Sequence, residues 1–317
     1  MTTSSIQKAA EMLRSGGLIA FPTETVYGLG ADARNEQAIR RIFAVKRRPL
    51  NHPLIVHLGQ KHEISKWARE VSDVAHRLME SFWPGPLTLV FKRNPDMLDL
   101  IAAHQDTVAL RMPDHPVALA LLSAFGDGVV APSANRFTHV SPTTAQGVSE
   151  ELGDDVDFIL DGGACAIGLE STIVDVSCDP PTILRPGMIT AEEISVLLGQ
   201  PIGASSIHSI RVPGQHRVHY APKTLTKVMN IQDLAAMCQP IIKQRVVALI
   251  REFNPSNTIA NIVWYRMPKD AEAYAHTLYQ TLRDMDKKNY DQIIIENVPM
   301  GSKWLAISDR LKKASRD

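Results

Sequence analysis

Apolar and polar positions alternate in short runs over the first two hundred residues. LIAFPT (18–23), PLIVHL (53–58), LTLVFK (87–92), TVALRMP (107–113), VVAPSAN (129–135), DFILDGG (157–163) and STIVDVS (171–177) read as strands. Each is short, apolar or β-branched, and bounded by Gly, Pro, Asn or Ser. Between them the period lengthens. NEQAIRRIFAVK sets Ile39, Ile42 and Phe43 on one helical face behind an Asn cap, and HPVALALLSAF repeats the pattern. MTTSSIQKAAEMLRSGG at the start reads as a short amphipathic helix. Strands interleaved with helices predict a mixed α/β domain.

A helix is expected near 190–199, after which GQPIGASSIHSIRVPGQHRVHYAPKT has neither period, and its glycines, prolines and serines mark a linker. LTKVMN, VVALIR, NIVWYR and DQIIIENV then alternate with helical segments, among them AEAYAHTLYQTLRDMDKK and WLAISDRLKKAS. That order predicts a smaller α/β domain of Rossmann-like type with a partly parallel sheet. The expected division is a first domain over 1–203, a linker or lid over 204–224 and a second domain over 225–317.

Charge changes this picture locally rather than globally. Lys and Arg together number 34, as do Asp and Glu, which argues against a broad nucleic-acid footprint but leaves room for a patch. Such a patch exists: Arg40, Arg41, Lys46, Arg47 and Arg48 crowd into residues 40–48, ahead of a proline and an apolar strand. Cations suit the last turn of a helix, so a solvated helix end accounts for the run. The alternative is a Lys-x-Arg-Pro turn that aims two cations, exposed in an empty pocket, at a polyphosphate. The three cysteines Cys165, Cys178 and Cys238 form no CxxC pair, and no apolar stretch is long enough for a signal peptide or a membrane span. A cytoplasmic location is expected.

Several chemistries fail on spacing. GLG in FPTETVYGLGAD lacks the third glycine of a dinucleotide loop, His52 and His57 lack metal-ligand spacing, and no GxSxG or HExxH occurs. What remains is a set of polar residues at strand ends: Thr23, Thr25, Lys46, Arg48, Arg111, Ser133, Asn135, Ser171 and Arg185. Pockets of α/β sheets lie at such ends. The set holds cations, hydroxyls and amides but no nucleophile with its base. It suits transfer at a phosphate, where positioning and charge stabilisation do most of the work.

FPTETVYGLGADA, AVKRRPLNHPLIVHL, WPGPLTLVF, VALRMPDHP, APSAN with SPT, LESTIVDV and ILRPG follow one another in the order found in the YrdC-like threonylcarbamoyl-AMP synthase family. VPGQHRVHYAPKT and LAISDRL resemble its longer, two-domain members. The resemblance implies a mixed twisted sheet with helices forming a concave pocket. It also implies synthesis of L-threonylcarbamoyladenylate and pyrophosphate from L-threonine, bicarbonate or carbon dioxide, and ATP. The product would feed the machinery that places threonylcarbamoyl on an adenosine beside the anticodon of tRNA, while direct tRNA binding is left open. The family's signature residues fall on Lys46, Arg48, Ser133 and Asn135. Thr25, His57, Arg111, Ser133 and Ser171 match threonine-holding positions. Lys46, Arg48, His52, Thr107, Asn135, Thr143, Arg185 and Tyr220 match nucleotide-side positions. Mg2+ is expected to arrive with ATP. The chain departs from the family at His52, usually Asn, and at Phe137 and Thr138, usually Ser-Gly. A module that binds RNA or a nucleotide without chemistry is the competing class of function.

Overall fold

The computed structural model describes residues 3–204, 210–214, 216, 219–237, 243–255 and 260–315. The chain divides into two compact units, Met1–Phe137 with Ser141–Gln215, and Thr138–Val140 with His216–Asp317. The parts of the expected linker at 205–209, 215 and 217–218 lie outside the described residues, as does Cys238.

In the first unit the order is α1 (Thr3–Arg14), β1 (Ile19–Phe21), β2 (Gly28–Asp32), α2 (Glu36–Lys46), β3 (Ile55–His57), α3 (Asp73–Phe82), β4 (Leu87–Lys92), α4 (Asp99–Ala102), β5 (Thr107–Arg111), α5 (Pro116–Phe125), β6 (Val129–Val130), α6 (Ala145–Leu152), β7 (Phe158–Ile159), β8 (Thr172–Asp175), β9 (Thr182–Arg185), α7 (Ala191–Leu198) and β10 (Gly203–Ala204). The strands form one mixed sheet in the order β10-β9-β8-β4-β5-β3-β6-β2-β1-β7. Every strand read from the sequence of this region is present, several of them trimmed. VVAPSAN keeps only Val129–Val130 as strand, because its Pro-Ser-Ala-Asn end turns away as loop. β2 is an addition. Its GLGAD sequence lacks strand-like alternation, yet the strand lies between β1 and β6. A Cβ at Gly30 would come within 2.8 Å of the Phe21 ring and 2.9 Å of a Val129 methyl, so glycine permits this close approach.

Alternation along the strands sorts their side chains onto two faces. Leu54, Val56 and Leu58, with Leu89 and Phe91, and with Val108 and Leu110, join the main core with residues of α2 and α3. The intervening residues Ile55, Val90, Ala109 and Ile173 form a separate apolar cluster with Leu184 and Val212, and Ile210 packs against it. Residues 210–212, read from the sequence as linker, therefore lie on the second face of this sheet.

In the second unit β11 (Leu225–Met229), α8 (Ile231–Met237), β12 (Val246–Ile250), β13 (Ile262–Arg266), α9 (Ala271–Asp286), β14 (Gln292–Glu296) and α10 (Ser302–Ala314) follow in order. The sheet runs β11-β14-β12-β13 with every pairing parallel, where the sequence had predicted a partly parallel sheet. The two central strands, β12 and β14, read VVALI and QIIIE with little alternation and are buried almost throughout, as expected of parallel strands covered on both faces.

Candidate active site

The basic run of residues 40–48 resolves into two kinds of residue. Arg40 pairs with Glu36 at 2.7 Å and Arg41 with Asp157 at 2.9 Å, both exposed. They are the solvated helix face. Lys46 and Arg48 are buried instead, with 1% and 7% of their surfaces exposed, which corrects the expectation that both are exposed in the empty pocket. The turn between them explains how. Arg47 closes α2 in the left-handed region at φ 54°, and the Arg48 amide reaches back to the Phe43 carbonyl at 2.9 Å. This reversal keeps Arg47 in solvent and turns its two neighbours inward.

Lys46 Nζ donates to the carbonyls of Ser133 and Asn135, each at 2.5 Å. The helix end thereby grips the APSAN loop, which also pairs with β2 through Gly28 and Ser133 and through the Ala134 amide to the Tyr27 carbonyl. Burial is the chief reason that the Lys46 ammonium sits well below its ordinary pKa, and the Arg48 charge adds to it. Asn135 Nδ2 donates to the Arg136 carbonyl at 2.7 Å, and Arg48 Nη2 to the Pro53 carbonyl at 2.8 Å. Lys46, Ser133 and Asn135 are thus in contact.

A second group gathers on the sheet face that carries Val90 and Ala109. His57 and Arg111 are register partners at the ends of the parallel pair β3 and β5. Arg111 Nη2 lies 2.7 Å from Glu24 Oε1, both side chains nearly fully buried. Thr25 follows Glu24 and shares a hydrogen bond of 2.8 Å with Thr23. The Glu24 and Thr25 carbonyls accept from the Ile167 and Gly168 amides, which fixes this loop. Burial, reinforced by the Arg111 charge, lowers the His57 pKa to about 3, so the ring is neutral at physiological pH. Its Nδ1 is buried without a hydrogen bond.

A third group joins β8 to β9. Ser171 Oγ shares a hydrogen bond with Thr88 at 2.7 Å. Arg185 donates to the Ser171 carbonyl through Nε and Nη2, at 3.1 and 2.9 Å, and to its hydroxyl at 3.1 Å. Its Nη1 donates to the Pro213 carbonyl at 3.0 Å. Arg211 binds the carbonyls of Asn51 and Ala103 at 3.1 and 3.0 Å. The turn after Arg185 runs close against Ser171 and Thr172: a Cβ at Gly187 would fall 2.2 Å from the Thr172 amide.

Of the remaining candidates, Thr143 is buried and its carbonyl accepts from the Cys165 amide. Thr107 opens β5, on the same face as Arg111 but roughly 13 Å along the strand at about 3.3 Å per residue. His52 and Phe137, two of the departures from the family pattern, meet edge to face with ring centres 5.2 Å apart. Thr138 belongs to the second unit, where its carbonyl accepts from the Ala221 amide. Tyr220 lies in the second unit too, buried, stacked on Tyr279 at 5.7 Å and beneath the Arg310 guanidinium. Sequence reasoning missed Glu24, Thr88 and the buried pair of Ser141 and Glu170, joined at 2.7 Å. Glu24 had a signal, since it sits between two threonines at the end of a strand. Among the described residues no group of three or more His, Cys, Asp or Glu side chains is placed to hold a metal ion.

The sequence profile of the Sua5/YciO/YrdC family, described as telomere recombination, matches residues 11–187. The profile described as the threonylcarbamoyl-AMP synthase C-terminal domain matches residues 189–316. Threonylcarbamoyl-AMP synthase from Pyrococcus abyssi is 36% identical, covering 98% of this chain and 94% of its own. The Bacillus subtilis protein of the same name is 37% identical over 98% of this chain and 92% of its own. The crystal structure of P. abyssi Sua5 complexed with L-threonine matches with a TM-score of 0.90 over 99% of this chain and 95% of that one, at 36% identity.

Proposed function

Because the chain belongs to the Sua5/YciO/YrdC family and carries that family's C-terminal synthase domain, we propose that it is a threonylcarbamoyl-AMP synthase. It joins L-threonine, bicarbonate or carbon dioxide, and ATP into L-threonylcarbamoyladenylate and pyrophosphate. The observation that carries this reading is the likeness along both units, at 36% identity, to a protein whose structure is described as complexed with L-threonine. As synthases are what the full-length relatives are named, a non-catalytic RNA- or nucleotide-binding module is not favoured.

In this reading the enzyme is a nucleotidyltransferase acting in the cytoplasm, and its product goes to a separate tRNA threonylcarbamoyl transfer step. Thr25, His57, Arg111, Ser133 and Ser171 take threonine. Lys46, Arg48, His52, Thr107, Asn135, Thr143 and Arg185 take the nucleotide. Once the threonine amine has captured carbon dioxide, the carbamate oxygen attacks the α-phosphate in line and pyrophosphate leaves. Lys46 spends two of its three N–H donors on the 133–135 loop, and its third is available to a phosphate oxygen. The Arg48 guanidinium adds charge compensation in a site where burial makes each charge count for more. Water exclusion matters equally, since a mixed carbamic-phosphoric anhydride hydrolyses readily. Mg2+ enters as part of the MgATP substrate, in keeping with its habit of staying on phosphates.

The test is to incubate the purified chain with MgATP, L-threonine and bicarbonate. Pyrophosphate release that requires threonine, with the adenylate found by mass spectrometry, is the expected result. Absence of threonine-dependent release would overturn the reading.

A further inference from the structure

Glu24 holds a buried carboxylate that neither the fold nor the assignments above use. It is 6% exposed, and neither of its oxygens makes a hydrogen bond. Among the described residues its ion-pair partner is Arg111, with Nη2 at 2.7 Å from Oε1, and that nitrogen likewise makes no hydrogen bond. Buried carboxylates are normally satisfied by several donors, and leaving one short is costly. An acceptor and a donor therefore stand side by side, each with unmet bonding capacity, between the loop after β1 and the end of β5. An α-amino acid carries its carboxylate and its ammonium on one carbon. It presents opposite charges side by side, in the complementary sense.

We propose that Glu24 receives the α-ammonium group of threonine while Arg111 takes its carboxylate, and that Glu24 removes the proton that must leave before the nitrogen can react. This rests on the synthase reading above. The step balances simply. One N–H bond of the ammonium breaks and its proton passes to a Glu24 oxygen, leaving a lone pair on nitrogen. That pair forms the N–C bond to carbon dioxide while one C–O π bond opens to an oxygen anion, and the second N–H proton departs to solvent. The carbamate that results is the nucleophile the reaction needs. The charged and titratable groups facing Glu24 are Arg111 from β5, His115 at the start of α5 and Cys165 from the loop before β8. Burial lowers the His115 pKa and raises that of Cys165 to about 12, so around neutral pH the imidazole is uncharged and the thiol keeps its proton, and neither adds a charge beside Glu24.

The experiment compares binding of L-threonine with binding of 3-hydroxybutanoate, the same skeleton without the amine, to the full chain and to E24Q and E24D. The parent should prefer threonine by about tenfold or more, as a site with a buried charged acceptor rejects a ligand lacking its partner. E24Q should lose that preference and E24D should keep much of it. The rate of E24Q should also climb about tenfold per pH unit below the pKa of the amine, because only the free amine can then react, while the parent rises less steeply. If Glu24 merely holds Arg111 in place, E24Q will weaken both ligands equally, and the inference falls while the synthase reading stands. A parent that binds both ligands equally overturns the inference even if neither variant folds. A parent that binds neither removes the synthase reading and this inference with it.

Discussion

Lys46 and Asn135 are 89 positions apart in sequence, yet the Lys46 ammonium donates to the Asn135 carbonyl at 2.5 Å within the protein interior. The signature cation of the basic turn is therefore also a fastener for the loop that carries Ser133 and Asn135. Substituting Lys46 with Met leaves one buried and one part-buried carbonyl without their donor. It should lower stability by about 2 kcal/mol or more, on the scale of stranded buried acceptors. Thermal or urea unfolding of Lys46→Met beside the parent checks this. An unchanged midpoint would mean that the loop holds itself.

Arg48 offers the contrast, since its turn is held by backbone hydrogen bonds that survive truncation of the side chain. Arg48→Ala should keep much of its stability but lose at least about 2 kcal/mol of transition-state stabilisation, as for a preorganised donor. Steady-state pyrophosphate release reads the second quantity, and a parent-like rate would remove Arg48 from the phosphate grip.

Arg185 ties Ser171 and Pro213 together, and a lysine cannot reproduce that fork. Losing one or two such bonds at about 1 kcal/mol each should raise local opening of 210–214 roughly tenfold. Limited proteolysis of Arg185→Lys, with cleavage sites mapped, measures it. Equal cleavage in parent and variant would show that the apolar seat of Val212 suffices.

His57 gives a signed dependence on pH. Its folded pKa, about 3, lies below the usual 6.5, so between those values the unfolded chain binds more protons than the folded one. The contribution of the neutral ring is present above about pH 6.5 and is lost as pH falls towards 3. The parent should therefore lose more stability than His57→Gln between pH 7 and pH 5, by about 2 kcal/mol. Urea unfolding at the two pH values decides, and parallel losses would show that His57 is not the group involved.

Threonine should be preferred over valine, its near isostere, by at least about 100-fold in kcat/KM. A site that binds a hydroxyl leaves its own buried groups unpaired when that hydroxyl is missing. His57 Nδ1, buried without a hydrogen bond, is one candidate partner. If His57→Ala leaves the ratio unchanged while the parent discriminates, Thr25 or Ser171 supplies the contact instead.

The sequence by itself determined the elements and the chemical inventory. Strand and helix periods depend on neighbours along the chain, so LTLVFK and NEQAIRRIFAVK could be read locally, and both are where they were expected. The ordered motifs from FPTET to ILRPG were likewise enough to point to the family. β2 escaped, because Gly30 is selected by the Phe21 ring across the sheet and not by any local pattern. What only the tertiary structure decided is which polar residues meet. Arg40, Arg41, Lys46 and Arg48 are alike in sequence, but a left-handed residue at Arg47 sends the last two inward, and for Lys46 the partners lie about ninety residues away. Glu24 is one acid among many until the register of β3, β5 and the loop after β1 sets it against Arg111. Burial and pairing are properties of non-local contacts, and no window along the chain contains both partners.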